Sequence, residues 1–554
     1  MRWAHLGVAI AGLLTLPAVS AGATRAPTAT QTTGRLLVTL KASPHPRAQA
    51  AAVRGVAART GARGTRLTIP QLRTAAVRAR PGRSLHALAA RLRRDPQVAE
   101  VRAERRFSLR YVPNDPAFSS SERGESGTVT EWWAARQGLP AAWDITDGAG
   151  ARVAIIDTGV DGAHPELTSK IVATADFDDT LGDGPPTVDE VGHGTHVASL
   201  ACAQPDNGIG IAGAGLGCDL LVAKSDLTEG SVARALIWAA DNGADAINMS
   251  FGTDGRVPAS DVIVKALAYA SSKGAVLVAA AADKPIQEQG DPANVLQPTD
   301  SGADIDRNLG LTVTAANARD HRASFAGHGT QVSMAAYGTY GQGGSSGILG
   351  AFPSQPTELE SGDDVLDLKP CSCRSPFGGD QRYAYLPGTS MSAPMVSAVA
   401  ALMRHLNPDL PPADVVRILK QTARRPPTLA WTPELGWGIL DAGAALAAAR
   451  SVDAHPPNSQ LRRPKVTGRS ILLRWRGADD GVAGVVATGI DHFEVWRTAG
   501  KRPARRIART AAHSLRVRGK RGQRYGFFTI AVDHAGNREA PPARADASVR
   551  VAAR

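Results

Sequence analysis

Between Arg152 and Ala448 the chain alternates short apolar runs with amphipathic stretches, and this rhythm limits its fold more than any other feature. "ARVAIIDTG", "DLLVAKS", "DAINMSFG" and "VLVAAAA" read as strands with little polar alternation, the mark of strands covered on both faces. Between them "HGTHVASLACA", "GSVARALIWAADNGA" and "SDVIVKALAYASSKGA" read as helices, the second closed by Gly243. Strand–helix–strand order implies parallel strands joined by crossovers. The expected fold class is therefore α/β, with a doubly wound, mostly parallel central sheet. In such a sheet, ligand sites lie at the carboxyl ends of the strands.

A chain of 554 residues is too long for one core. Arg2, the apolar run Leu6 to Leu16 and the small residues Val19-Ser20-Ala21 predict a signal peptide over residues 1–21, hence a secreted, extracellular protein. Alanine- and arginine-rich usage points to a bacterial source. No later run is long and charge-free enough to predict a membrane span. Residues 22–34 read as linker, and 35–110 as a small α+β unit built around "GRLLVTLK" and "SLHALAARLRRDPQVAEV". After Arg450, "SILLRWRG", "HFEVWRT", "HSLRVRG" and "YGFFTIAVDHAGN" are short alternating strands between Gly and Asp turns, which predict a C-terminal β-sandwich over 451–554. Its Trp475, Trp496 and Tyr525 are expected in the core.

The net charge of +12 hides a segregation. Residues 35–110 carry about +15, residues 111–454 about −19 and residues 455–554 about +14. An acidic middle between basic ends argues against nucleic acid and for contacts within the chain, with anionic cell-surface polymers as a possible partner of the last segment. Of four cysteines, Cys202 and Cys218 flank a short loop and are placed to pair. Cys371 and Cys373, in "PCSCR", are expected to be too close for an easy mutual bridge.

Three separated stretches end where a site is expected. "VAIIDTG" puts Asp157 at the end of the first strand, "GHGTHVAS" puts His193 at a glycine-flanked helix start, and "LPGTSMSAPMVSAVAALM" puts Ser390 at the start of an apolar helix. Together they supply an orienting carboxylate, a base with a near-neutral pKa and a nucleophile that needs that base. The helix N-terminus behind Ser390 adds backbone N–H groups that favour developing negative charge.

"IIDTGVDGAHPEL", "GHGTHVAS" and "GTSMSAP" closely resemble the three catalytic signatures of the subtilisin-like serine proteases (subtilases). "GWGILDAGAAL" is similar to that family's final signature, so the resemblance covers roughly 112–448. It implies an endopeptidase acting through an acyl-enzyme on protein or peptide substrates, with Asp157 as orienter, His193 as base and acid, Ser390 as nucleophile, and no catalytic cofactor. His196 and His164 are expected to be structural. By the same resemblance, residues 22–110 hold a linker and an inhibitory prosegment cut away near Arg110-Tyr111, and 111–450 form the catalytic domain. Residues 451–554 resemble a fibronectin type III-like module, and a monomer is expected.

Where the family strand ends in an asparagine that donates into the oxyanion hole, this chain has Asp283, preceded by Ala282 in place of glycine. An ionised carboxylate has no donor; a protonated one does. Three readings follow: a neutral Asp283 in an apolar pocket, an Asp283 turned away with a water or the Ser390 N–H supplying the hole, or a slow or inactive homologue that acts as a binding protein. One proprotein convertase of the family resembles this chain in having Asp there and is a working protease. The resemblance further implies a cleft walled by Ser250, Phe251, Gly252 and Ala280, Ala281, Ala282. It also implies a structural calcium site from Asp115, Glu166 and Asn207 side chains with Ile209 and Ile211 carbonyls. The Gly/Ser/Asp-rich stretch 338–385 is expected to be a surface insertion.

Overall fold

The computed structural model describes residues 32–41, 48–80, 84–105, 111–125, 127–179, 184–253, 255, 258–306, 308–341, 347–362, 368–425, 430–479, 485–500 and 502–553. The expected signal peptide and the segment just before Tyr111 lie outside them.

The central sheet has seven strands: β1 (Arg152–Asp157), β2 (Ile171–Phe177), β3 (Asp219–Ser225), β4 (Ala246–Met249), β5 (Val276–Ala280), β6 (Leu311–Ala316) and β7 (Met334–Tyr337). Their order is β7-β6-β5-β4-β1-β3-β2, and every neighbouring pair is parallel. Strands β4 to β7 are buried along their whole length, and β1 is buried after Arg152, as their uninterrupted apolar runs require. The edge strand β2 alternates between more and less exposed residues.

Helices cover both faces. Helix α1 (His193–Cys202) and the long α4 (Thr389–Leu406) pack into one apolar cluster, while α2 (Glu229–Asp241) and α3 (Asp261–Ser272) pack into another on the opposite face. The chain runs from β1 towards β3 and β2 on one side, then returns to build β4 to β7 on the other. The carboxyl ends of β1 and β4 are therefore adjacent at the reversal, with Ile156 beside Met249, and there the crevice of a doubly wound sheet opens.

The basic N-terminal unit is an antiparallel sheet of Thr32–Leu40, Arg63–Ile69, Thr74–Arg78 and Val98–Arg105, packed on the helices Ala48–Thr60 and Leu85–Arg93. The C-terminal unit has two four-stranded antiparallel sheets around one core. Trp475 and Tyr525 are buried there; Trp496 lies outside that core, half-buried and stacked on Phe528 with centroids 5.9 Å apart. A knot of carboxylates marks the seam with the catalytic domain. Asp453 accepts from Thr488, Asp479 from Gly489 and Asp533 from Asn537.

Two expectations need correction. Cys371 and Cys373 are joined to each other, as Cys202 is to Cys218, with Cα separations of 5.2 and 5.5 Å. Residues two apart on an extended chain face the same side. Here the Cys371 N–H is pinned to Leu359 O and the Cys373 carbonyl to Tyr385 N–H, drawing the pair into bridging range. Nor is the stretch 338–385 merely a surface insertion. Its strands β8 (Ile348–Ala351) and β9 (Tyr383–Leu386) pair, and Phe352 and Tyr383 are buried in the main core.

Candidate active site

Asp157 is the last residue of β1 and is buried. His193 opens α1, and the glycines on either side make that start possible. Gly192 has φ +92°, and a Cβ there would lie 2.7 Å from the Phe352 ring; a Cβ on Gly194 would lie 2.1 Å from Gly159 O. No other residue lets the helix begin so close to the end of β1. As a result His193 Nδ1 lies 2.7 Å from Asp157 Oδ1, which also accepts the Thr158 N–H. The other oxygen, Oδ2, is buried and finds no partner among the described residues, leaving the imidazole as the principal compensation for the charge. Burial alone pushes the imidazole pKa down. The Asp157 charge and hydrogen bond, with the charges of Asp189 and Asp283, outweigh that and raise it.

Asp189 is a site residue that the sequence reading missed. It is buried, and its two oxygens accept from Gly192 N, Thr158 Oγ1, Thr195 N and Thr195 Oγ1 at 2.6–2.9 Å. One carboxylate thus ties the residue after Asp157 to the residues flanking His193. The signal was its place four residues before His193 in "DEVGH".

Ser390 sits in the first turn of α4, buried, with the Ser390 N–H among the amides that a helix N-terminus leaves without intrahelical acceptors. Pro394 has no N–H to give the Ser390 carbonyl four residues back. The Ser250 hydroxyl takes its place, donating to Ser390 O at 2.9 Å, while Ser390 Oγ donates to Ser250 O at 2.9 Å. The structure therefore brings Asp157 and His193 into direct contact, whereas the single hydroxyl proton of Ser390 points to Ser250 and not to the imidazole. Rotation about Cα–Cβ is the motion that would redirect it.

Asp283 follows β5 at the same end of the sheet. It is not in an apolar pocket, as one expectation had it. The residue faces the open cleft, and its Oδ1 accepts from Thr389 N at 2.8 Å and Thr389 Oγ1 at 2.9 Å. Its Oδ2 lies on the Gly388 side, 3.1 Å from where a Cβ on Gly388 would sit. The carboxyl group is nonetheless crowded by protein, and lost hydration raises its pKa against the Thr389 donors and His193. Of the expected cleft walls, Ser250, Ala280 and Ala281 are buried, Phe251 and Ala282 half-buried and Gly252 exposed. Ala282 donates its N–H to Gln289 and its carbonyl accepts from Gly327.

The two remaining histidines of the signatures are structural. His196 Nε2 lies between the Ile348 and Ala384 carbonyls, and burial pushes its pKa down to about 3. His164 bonds Arg382 O and the Glu166 N–H, and burial lowers its pKa too.

Away from the cleft, Asp115, Glu131 and Glu166 form a buried acidic group. Asp115 Oδ1 and Glu131 Oε1 have no partner among the described residues, while Glu166 accepts from Asn207 Nδ2, Ile211 N and Tyr383 OH. Desolvation raises the pKa of Asp115 to about 6, that of Glu166 to about 7, and that of Glu131 well above the carboxylate range. Asn207 Oδ1 accepts the Ile209 N–H and keeps a second lone pair. Orphaned carboxylate oxygens at this depth fit a hard cation. Glu131, hidden in "TEWW", is a second residue that the sequence reading missed.

The subtilase family model matches residues 148–438. The chain belongs to the subtilase family, whose members are subtilisin-like serine proteases. It is 33% identical to thermitase of Thermoactinomyces vulgaris over 298 residues, covering 53% of this chain and 85% of that protein. It is 31% identical to the thermophilic serine proteinase of Bacillus sp. (strain AK1), over 58% of this chain and 66% of that one, so it spans just under two thirds of that relative. An extracellular protease of Xanthomonas campestris is 30% identical, over 64% and 60% of the two chains. Among solved structures, fervidolysin from Fervidobacterium pennivorans aligns over 94% of this chain and 74% of its own, at 21% identity and a TM-score of 0.46.

Proposed function

We propose that the protein is a secreted, self-processing serine endopeptidase. The contact that carries the reading is the short His193–Asp157 pair, with Ser390 at a helix N-terminus held by Ser250 at the same end of the sheet. In this mechanism Ser390 Oγ attacks the scissile carbonyl carbon as its proton passes to His193 Nε2. Asp157 holds Nδ1–H and stabilises the imidazolium. The tetrahedral oxyanion takes the Ser390 N–H and a hydrogen bond from protonated Asp283. Collapse breaks the C–N bond, His193 returns the proton to the leaving amine, and water, deprotonated by His193, cleaves the acyl-enzyme and regenerates the hydroxyl.

The basic unit before residue 111 serves as the intramolecular prosegment, held by the opposite charge of the catalytic domain. Tyr111 suits the first residue of the mature chain: its N–H meets Asp144 and its hydroxyl meets Asp206 at 2.6 Å. Asp115, Glu131, Glu166, Asn207 and the carbonyls of Ile209 and Ile211 would hold calcium, which when bound supplies stability by compensating buried charge. The C-terminal unit serves as a fibronectin type III-like accessory module, and the mature enzyme acts as a monomer.

A second reading is favoured by two observations, the carboxylate at position 283 and the Ser390 hydroxyl turned to Ser250: a binding protein on a disabled protease scaffold. A serine-directed organophosphonate separates the two. Covalent labelling traced to Ser390, absent in Ser390→Ala, supports the peptidase. An unlabelled, folded protein from pH 5 to 9 supports the binding role.

A further inference from the structure

In the C-terminal unit, β10 (Asn458–Leu461), β11 (Lys465–Thr467), β12 (Ser470–Ala478) and β15 (Ser514–Arg518) form one sheet. The other consists of β13 (Ile490–Ala499), β14 (Arg502–Thr510), β16 (Arg524–Asp533) and β17 (Ala547–Arg550). The two sheets treat their positive charges differently.

On the second sheet, the cations around Glu494 and Asp491 are matched by acids, whereas Arg502, Arg505, Arg524 and Arg550 are in no ion pair among the described residues. Glu494 takes Arg506 and Arg538, and Asp491 lies 3.7 Å from Arg509. On the first sheet no cation is so matched among the described residues. Ile471, Leu473 and Trp475 of β12 point inward, so Ser470, Leu472, Arg474 and Arg476 point out. Antiparallel partners share a face, and the register sets Arg516 and Lys465 beside Leu472, Arg518 beside Ser470 and Gln460 beside Arg476. The outer face thus carries Lys465, Arg474, Arg476, Arg516 and Arg518, all exposed. None of its other outward positions is acidic or aromatic. Arg476 and Arg516 bond only to Gln460 and Ser470 among the described residues.

The geometry is a grid of charge on one face of the sheet. Arginines two apart along a strand are spaced about 6.6–6.8 Å, and neighbouring strands about 4.7–4.9 Å. Four of the five cations are arginine, whose planar fork matches phosphate oxygens in pairs and loses little hydration on doing so. The absence of aromatic side chains removes the stacking platform that single-stranded nucleic acid uses, and the cations stand on paired strands of one sheet with no helix among them to enter a duplex groove. What remains is recognition of closely repeated anions on a flexible chain.

We propose that this face docks a flexible linear polymer of closely spaced phosphates, such as a polyol phosphate or polyphosphate at a cell surface, and so holds the protein there. The proposal does not depend on catalysis. The test is binding of the full chain to immobilised long-chain sodium polyphosphate over a range of sodium chloride concentrations. Two quadruple variants remove the same charge: Arg474→Ser/Arg476→Ser/Arg516→Ser/Arg518→Ser on the proposed face, and Arg502→Ser/Arg505→Ser/Arg524→Ser/Arg550→Ser on the other sheet.

The face variant should lose affinity at least a hundredfold, and its log–log salt slope should fall by about three, at roughly 0.7–0.9 for each phosphate no longer neutralised. The control should stay within threefold of wild type. The pair Arg516→Ser/Arg518→Ser, on an edge strand, should lose tenfold and guards against misfolding of the larger variant. Equal losses in both quadruple variants would reduce the effect to net charge and overturn the proposal. So would failure of the wild-type chain to bind at low salt. Tighter binding of duplex DNA at equal phosphate concentration would assign the face to nucleic acid instead.

Discussion

Asp283→Asn isolates the least ordinary group in the cleft. The substitution keeps an oxygen where Oδ1 accepts both Thr389 donors. It replaces Oδ2, on the Gly388 side, by an NH₂ that donates at every pH. The wild-type carboxyl donates only when protonated. Its pKa is raised by lost hydration, so the protonated form persists to higher pH than for a solvated aspartate. An oxyanion donor is worth about 10²–10³ in turnover, a magnitude established within this same family, or about 2.7–4 kcal/mol at 1.36 kcal/mol per decade.

Below the pKa of Asp283, wild type and variant should therefore have similar kcat/KM. Above it, the wild-type value should drop tenfold per pH unit relative to the variant, levelling two to three units later at the rate of the ionised enzyme. The assay is hydrolysis of one chromogenic peptide by both proteins between pH 4.5 and 10, with active sites titrated by phosphonate. A constant ratio across that range would refute a proton-dependent donor at position 283. A ratio of one throughout would place the side chain outside the oxyanion hole.

Ser390→Ala should lower turnover by about 10⁶-fold and leave an uncleaved precursor, read by intact mass; a mature product from that variant would contradict self-processing. Asp189→Asn sets an amide against backbone donors of Gly192 or Thr195 that cannot turn away, at a cost of about 1–3 kcal/mol in melting experiments. It also removes a charge that raises the His193 pKa, so the acid limb of kcat/KM should move to lower pH; an unmoved limb would leave Asp189 a purely mechanical part. Calcium at a hundred times its dissociation constant should stabilise the protein by about 2.7 kcal/mol over chelated protein, a rise of about 4 °C in Tm by calorimetry for a catalytic domain of this size.

The sheet and the helices around it were legible because their apolar runs are long and of one period. Asp157, His193 and Ser390 were legible because one ends a strand and the others begin helices at the edge where such sheets bind ligands. Asp189 and Glu131 were hidden because each meets a distant segment that pattern does not bring to it: Asp189 joins the nearby Gly192 and Thr195 amides to the Thr158 hydroxyl, and Glu131 accepts the Ala212 N–H. The clasp between Ser250 and Ser390 needed two facts at once, a proline four residues after the serine and the adjacency of β4 to α4. The Cys371–Cys373 bond escaped because spacing alone was weighed, without the hydrogen bonds that fold the segment. Asp283 was found by comparison with the family, but its anchorage to Thr389 depended on where α4 begins.

Residues Thr389–Met403 of α4 are buried without interruption, and hydroxyls along the helix tie it to the sheet: Ser392 to Ala336 O and Ser397 to Asn248. An element enclosed in this way has no partial opening of its own. Its central amides, from Val396 to Met403, should exchange with deuterium only when the whole domain unfolds. The position of Ser390 would then be lost all at once and never by gradual fraying, and heat inactivation would follow the global transition instead of preceding it.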